Sequence, residues 1–325
     1  MRSSKVRAAL VFIAIGLVLF LVSNRVDELR VYQGAEVAVY VVAISAIVLL
    51  TGYSGQISLG HGALMAVGAY AAVLSRNYWH LPIPLTFVAA VLAAALFGAI
   101  LGVAAGRLTG PYLAGTTLAL AVGLPSLANE FGFLGGEQGL TYDVGLPPAW
   151  LGADFTQYKW FFWIAALSAL LIVWLTYNIL GSRYGRSWRA SRSNPTSAAL
   201  AGIHVGRSKV LAFTISSGLA GLAGALLAMT ISLVTPSAFP LSLSFAIVTG
   251  AVLAGVTLLT GSIVGAIVLV AIPELTGSLA AHLGGSEKVT ANLPGLMTSV
   301  LLILSVLFFP NGPKLNWRKV KKSSR

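Results

Sequence analysis

The sequence contains no cysteine and very few charged residues. The missing cysteines exclude disulfide bonds, thiolate chemistry and cysteine-based metal sites. Charged residues make up 9% of the 325 residues and hydrophobic residues 57%, whereas about a quarter of an average soluble domain is charged. So few charges cannot cover a water-exposed surface, and the mean hydropathy of +0.87 indicates a lipid bilayer as the solvent. The chain is therefore predicted to be an integral membrane protein.

Acidic residues are especially scarce. The chain has nine of them against 21 Lys and Arg, which gives a net charge of +12. Such basicity is typical of nucleic-acid-binding proteins, but the basic residues lie mostly in short segments between hydrophobic stretches and in the two tails, without interleaved aromatic residues. This placement follows the positive-inside rule. It predicts that both termini are cytoplasmic. It also predicts that the chain is surrounded by membrane lipid and does not bind nucleic acid.

Hydrophobic runs long enough to cross a bilayer recur along the whole chain. They predict an all-α fold, a polytopic transmembrane helical bundle of about ten spans (range eight to ten) in a single domain over residues 1–325. The first run resembles a secretory signal, but no small-residue cleavage site follows it, so we interpret it as a retained helix. The predicted spans are Ala8–Ser23, Ala35–Thr51, His61–Ser75, Pro82–Ala105, Tyr112–Asn129, Tyr158–Leu180, Lys209–Leu233, Leu241–Leu258, Ser262–Ala281 and Leu293–Phe309.

A polar, glycine-rich stretch interrupts the bundle near residues 52–62, between the second and third predicted spans. Non-helical backbone at membrane depth persists only where protein or a water-filled cavity satisfies its amides and carbonyls. The stretch is therefore either a broken or re-entrant segment that lines a cavity or a simple cytoplasmic turn. If it lines a cavity, its polar side chains are candidates for the substrate pathway: Ser54, Gln56, Ser58 and His61. For His61, a structural hydrogen-bonding role is the alternative.

Three further residues inside predicted spans are candidates for the same pathway. Thr116 and Thr117 either bond a substrate or bond back to their own helix. Glu274 follows Pro273, and an ionisable residue inside a membrane indicates a functional site by default, although a structural hydrogen bond at a proline kink is the alternative. Glycines four residues apart, such as Gly98 and Gly102, are expected to permit close helix packing.

The inner segment 181–208 combines charge with a helix-start signal. Arg186 and Arg189 are three residues apart and are expected near one face of a helix. Asn194 is a predicted N-cap, Pro195 a predicted first helical residue, and Gly202 the end of a short helix. A helix of small residues exposed to the cytosol gains little unless a partner docks on it. The alternative is a charged loop that only sets topology.

No constellation of side chains in the sequence predicts catalysis. The four histidines do not cluster at metal-ligand spacing, and no nucleotide-binding fingerprint is present. We expect no catalytic residue, no metal and no cofactor bound by this chain. From the residues alone, an ion-coupled secondary transporter remains an alternative, because broken helices and an intramembrane Glu274 also suit ion coupling.

Two stretches resemble the permease subunits of bacterial ABC importers for branched-chain and other hydrophobic amino acids. They are TGYSGQISLGHGALMAVGAYAAVL from Thr51 and SRYGRSWRASRSNPTSAALAGIHVGRSKVLAFTISSGLAGLAGAL from Ser182. Shorter matches are GRLTGPYLAGTTLAL from Gly106, FLGGEQGLT from Phe133, IPEL from Ile272 and LFFPNG from Leu307. The chain departs from the family at AGVTLLTGSIVGA from Ala254. Because related permeases carry urea or short amides, that departure leaves the solute open.

The resemblance implies that this chain forms half of a transport pathway beside a second related permease. Two ATPase subunits, which bind the ATP, would drive it, and an external solute-binding protein would deliver the substrate. The implied location is the bacterial inner (cytoplasmic) membrane, with a basic cytoplasmic tail at 310–325. Segment 181–208 would be the cytoplasmic coupling loop, and the residues expected to contact or position the ATPase are Arg186, Arg189, Asn194, Pro195, Ala198, Ala199 and Gly202.

Overall fold

The computed structural model describes residues 16, 25–107, 110–152, 155–253 and 255–282, and in the last segment residues 293, 295–297, 299–300, 303–304 and 307. The predicted first span is described only at Gly16, and the predicted last span only at the positions just given. The predicted basic tail 310–325 lies outside the described residues.

The described residues are almost entirely helical, which confirms the predicted all-α class. The helices are α1 Glu28–Ile47, α2 His61–Trp79, α3 Ile83–Arg107, α4 Pro111–Glu130, α5 Gln157–Gly181, α6 Arg183–Ser193, α7 Pro195–Leu200, α8 Val205–Ile231, α9 Leu241–Leu253 and α10 Gly261–His282. Two short strands, β1 Leu140–Thr141 and β2 Leu233–Val234, pair antiparallel. A π-helical turn, Val48–Ser54, follows α1, and a 3₁₀ turn, Pro236–Ala238, precedes α9.

Six helical segments in the described part of the chain are long and apolar enough to cross a membrane. They are Glu28–Ser54, Ile83–Ala104, Pro111–Glu130, Gln157–Gly181, Val205–Ile231 and Pro236–Leu253. The helix that holds the predicted third span, α2, is 19 residues long and is not one of these six. Its polar first and last turns lower its hydropathy, yet most of it is buried among the other helices.

The core of the bundle forms where α8 crosses α2 and α3. Glycines let the backbones approach closely: a Cβ on Gly224 would overlap the Met65 carbonyl, and one on Gly68 would overlap the backbone of Gly221. In α3, a Cβ on Gly98 would overlap the side chain of Ser217. The expectation that such glycines serve close packing is confirmed at these crossings.

The loop between α4 and α5 is fastened to the bundle at one end. Tyr142 is buried, and its hydroxyl lies 2.6 Å from that of Thr86. Burial raises the pKa of Tyr142 above its ordinary value, so the phenol stays neutral at physiological pH. Arg76 donates to the Asp143 carbonyl at 3.0 Å. Together with the β1–β2 pairing, these contacts hold the loop over the ends of α2 and α8.

Candidate functional site

The predicted coupling segment folds into two short helices at the end of α5. The side chain of Ser182 accepts a hydrogen bond from the Tyr184 amide and caps α6. Asn194 Oδ1 accepts from the Ser197 amide at 3.0 Å, and Pro195 occupies the first turn of α7. Gly202 adopts a positive φ of 83° just beyond α7, where the chain turns back towards α8. The predicted N-cap, proline start and glycine end are therefore confirmed.

Helix α7 presents one buried and several exposed positions. Ala198 is buried at 4% exposure, so it holds α7 against the protein and is not on the outer surface. Ala199 is exposed, and Leu200 is 86% exposed. A partner that covered Leu200 would remove its exposed apolar area from water. Of the two alanines expected to contact the ATPase, Ala199 is therefore exposed beside Leu200, whereas Ala198 is not.

A buried tryptophan that the sequence analysis passed over anchors α6. Trp188 is 1% exposed, and its Nε1 donates to the Ser208 carbonyl at 3.0 Å. Gly185 lies so close to the end of α5 that a Cβ there would overlap the Leu180 backbone. Helix α6 is thus packed firmly between the end of α5 and the start of α8, which makes it a rigid connection and not a loose loop.

The polar stretch near residues 52–62 is a break between two helices, as predicted. Helix α1 widens into the π turn, Gly55 follows with a positive φ of 75°, and an extended segment leads to α2. Gln56 Nε2 donates to Ser54 Oγ at 2.8 Å and to the Lys209 carbonyl at 3.1 Å. The buried Gln56 Oε1 has no hydrogen-bond partner within the described residues. Most of the break is buried, and protein side chains bond parts of its backbone, since the Leu59 amide donates to Thr117 and the Gly62 amide to Ser244.

His61 joins the break to two neighbouring helices. Its Nε2 lies 2.9 Å from Ser216 Oγ, which donates its own proton to the Ala46 carbonyl at 2.8 Å. Nε2 therefore carries the imidazole proton, and Nδ1 accepts from Ser58 Oγ at 3.1 Å. Both ring nitrogens are satisfied inside the protein. This geometry favours the structural alternative for His61.

The remaining candidates separate into two groups. Thr117 is buried and accepts from the Leu59 amide at 3.0 Å, so it belongs to the break. Thr116 is exposed and bonds back to the Leu113 carbonyl at 2.9 Å. Glu274 forms an ion pair with Arg30 at 3.5 Å, at the end of α1 away from the break. The structure thus unites Ser54, Gln56, Ser58, His61 and Thr117, and leaves Thr116 and Glu274 apart from them.

The coupling segment and the break, which the sequence analysis treated separately, are in direct contact. Arg192 donates to the Gly52 carbonyl in the π turn, and its aliphatic stem lies against Gly55. The guanidinium of Arg189 lies 5.5 Å from the centre of the Tyr53 ring, within the range of a cation–π interaction. Arg186 instead donates to the Gly181 carbonyl at 3.3 Å. Two of the three regularly spaced arginines therefore reach the break.

A family model described as the permease component of the branched-chain amino acid transport system matches residues 33–307. The chain belongs to this permease family. It is therefore a multi-pass membrane protein of a transport permease family. This confirms the family expected from the residues around Thr51 and Ser182.

Individual relatives of the permease are moderately similar. The high-affinity branched-chain amino acid permease protein LivM of Escherichia coli K12 is 29% identical over 262 residues, covering 73% of this chain and 61% of LivM. LivH of the same strain is 27% identical over 284 residues, covering 81% of this chain and 87% of LivH. The autoinducer 2 permease protein LsrC of Salmonella paratyphi B is 27% identical over 233 residues, covering 63% of each. The permease thus spans about three fifths of the length of LivM.

Proposed function

We propose that this permease is one half of the transmembrane pathway of an ATP-driven importer for branched-chain or other hydrophobic amino acids. Two separate ATPase subunits, a second related permease and an external solute-binding protein complete the assembly. Similarity to both LivM and LivH supports a pair of related permeases. The assembly lies in the bacterial inner membrane with both termini of this chain in the cytoplasm. ATP binds to the ATPase subunits and not to this chain.

The observation that supports this function best is the contact between α6 and the break. Helix α7 offers Leu200 to a cytoplasmic partner, and α6 joins α7 to the membrane bundle. Because Arg192 bonds to Gly52 and Arg189 lies over Tyr53, a displacement of α7 is passed directly to the junction of α1 and α2. Closure of the ATPase pair is thereby coupled to a tilt of spans around the break.

Docking on α7 is tested by placing a charge on its exposed surface. Leu200→Glu should abolish co-purification of the ATPase subunits with the permease, because a carboxylate replaces a leucine that the partner would bury. The matched control is Leu146→Glu, since Leu146 is 82% exposed on the outer loop. The control should retain the ATPase. Retention of the ATPase and of ATP-dependent uptake by Leu200→Glu would reduce segment 181–208 to a topology-setting loop.

The energy source separates the importer from an ion-coupled transporter. Proteoliposomes that contain the whole assembly should take up L-leucine with ATP and binding protein and without an ion gradient. Uptake by the permease alone, driven by a proton or sodium gradient, would overturn the proposal. Similarity to LsrC, which is named for autoinducer 2, makes a different solute the second candidate. Urea and short amides belong in the same uptake assay.

A further inference from the structure

The carboxylate of Glu36 differs in its position from the other carboxylates in the described part of the bundle. Glu36 lies about two turns, or roughly 12 Å, into α1 from the end opposite the break. It is half-buried and interacts with the Tyr32 hydroxyl one turn earlier. No ion pair is formed by Glu36 with the described residues, whereas Glu274 is paired with Arg30. A half-buried carboxylate on a membrane-spanning helix is costly and by default indicates a functional site, here one suited to a cationic group.

Glu36 lines a cavity of about 620 Å³ between α1, α8, α9 and α10, which the 3₁₀ turn and the described residues Gly295, Ser299 and Ile303 also line. Ligand sites typically enclose about 300–1,000 Å³, with mostly apolar walls and a few polar groups that orient the ligand. Here the apolar walls include Leu227, Phe245 and Leu269, and Glu36 is the only charged side chain among the described residues that line it. The cavity therefore suits a ligand with one positively charged group on an apolar body.

The cavity also offers a place for a carboxylate. Its wall includes Ser242 in the first turn of α9. The first amides of a helix have no acceptor within the helix, and the helix dipole favours a negative group there. A zwitterion can therefore place its ammonium group at Glu36 and its carboxylate at the start of α9.

The cavity lies next to a second one of about 620 Å³, which opens between α4 and the outer loop. That second cavity is lined by Asn129 and Glu137. Both cavities share Ser237 and Pro240 as wall residues, so only the 3₁₀ turn and the residues just after it separate them. A solute released at the outer side would reach the cavity of Glu36 past this turn.

We propose that the cavity at Glu36 is a subsite on the transport route that binds an amino acid with an apolar side chain. The ammonium group binds to the Glu36 carboxylate, the carboxylate to the start of α9, and the side chain to the apolar walls. This inference rests on the proposed importer function and names the residue that recognises the substrate within the membrane.

Occupation of the cavity is measured by protection of an introduced thiol. The chain has no cysteine of its own, so Ser242→Cys gives one labelling position in the permease of the assembled complex. L-Leucine should slow its modification by N-ethylmaleimide, as read by the intact mass of this chain. 4-Methylpentanoate, which is leucine without the ammonium group, should not. Thr141→Cys on the outer loop is the control, and leucine should leave its labelling rate unchanged.

The role of Glu36 is tested in the Ser242→Cys background. Glu36→Gln should raise the leucine concentration for half-protection by about 10- to 100-fold, the loss expected for a hydrogen bond to a charged group. Glu28→Gln, on the same helix but outside the cavity, is the matched control. Equal protection by leucine and 4-methylpentanoate, or no effect of Glu36→Gln, would overturn the subsite. Protection that follows the phosphatidylethanolamine content of the nanodisc and not leucine would assign the cavity to lipid, which also overturns it.

Transport assays distinguish this inference from the proposed function. If the wild-type assembly imports leucine with ATP and Glu36→Gln imports it at the same rate, the subsite is wrong and the importer stands. If leucine protects Ser242→Cys but ATP drives no uptake, the subsite stands and the importer is wrong. Absence of both protection and uptake overturns both.

Discussion

At the scale of single residues, His61 shows how a polar group can be held inside a membrane protein. Its two ring nitrogens are bonded to Ser58 and Ser216, and Ser216 is bonded in turn to the Ala46 carbonyl. The imidazole thereby links the start of α2 to α1 and α8. A histidine with both nitrogens occupied acts as a structural connector, so its removal should affect stability before it affects selectivity.

His61→Ala should lower the free energy of unfolding by about 2–4 kcal/mol, because it leaves two buried hydroxyls and a cavity. Thermal unfolding of the purified permease measures the loss. Ser193→Ala is the control, since that exposed hydroxyl bonds only to its own helix, and its effect should stay within about 0.5 kcal/mol. A normal unfolding temperature with lost leucine uptake would instead place His61 on the substrate pathway.

At the scale of elements, α6 and the π turn are connected by side-chain contacts. Arg192 is bonded to a backbone carbonyl and Arg189 lies on a ring, so both contacts depend on a guanidinium. Gly52 also lies against the turn between α9 and α10, because a Cβ on Gly52 would overlap the Val256 carbonyl there. The π turn is therefore in contact both with α6 and with the turn between α9 and α10.

Replacement of both arginines should uncouple ATP hydrolysis from transport. The double variant Arg189→Gln/Arg192→Gln should keep its ATPase partners and their hydrolysis rate, while leucine uptake falls about tenfold or more, as expected for loss of a charge-assisted hydrogen bond. Arg183→Gln is the matched control, because Arg183 stacks on its neighbour Tyr184 and not on the break. Parallel losses of hydrolysis and uptake would show a docking role in place of a transmitting one.

At the scale of the whole molecule, the orientation of the bundle decides which surfaces meet which partners. The accessibility of single introduced cysteines measures this orientation directly. Thr141→Cys should react with a membrane-impermeant maleimide in intact cells, whereas Ser193→Cys should react only after the membrane is opened, because the basic segment 181–208 is expected inside. Reaction of Ser193→Cys in intact cells would reverse the topology and separate α7 from any cytoplasmic ATPase.

Local signals in the sequence predicted local structure well. The glycines near residues 52–62 predicted the break, and the Asn194–Pro195 pair predicted the start of α7. Both signals could be read from the sequence because these residues determine the conformation of the backbone at their own positions. The burial of Ala198 could not be predicted, because a helix of six residues is too short to show a clear periodicity. The contacts of Trp188, Arg189 and Arg192 could not be predicted, because they join positions far apart in the chain.

The π turn at Val48–Ser54 has a consequence for how this permease can change in evolution. A π-helical turn accommodates a residue that an α-helix would not hold. Deletion of one residue there would restore a regular α-helix with little rotation of the segment that follows, because the widened turn already absorbs the extra residue. A related chain could therefore lack this turn through a one-residue gap without displacement of the bundle, whereas Gly52 is not free to change where the turn is kept, because a Cβ there would overlap the Val256 carbonyl.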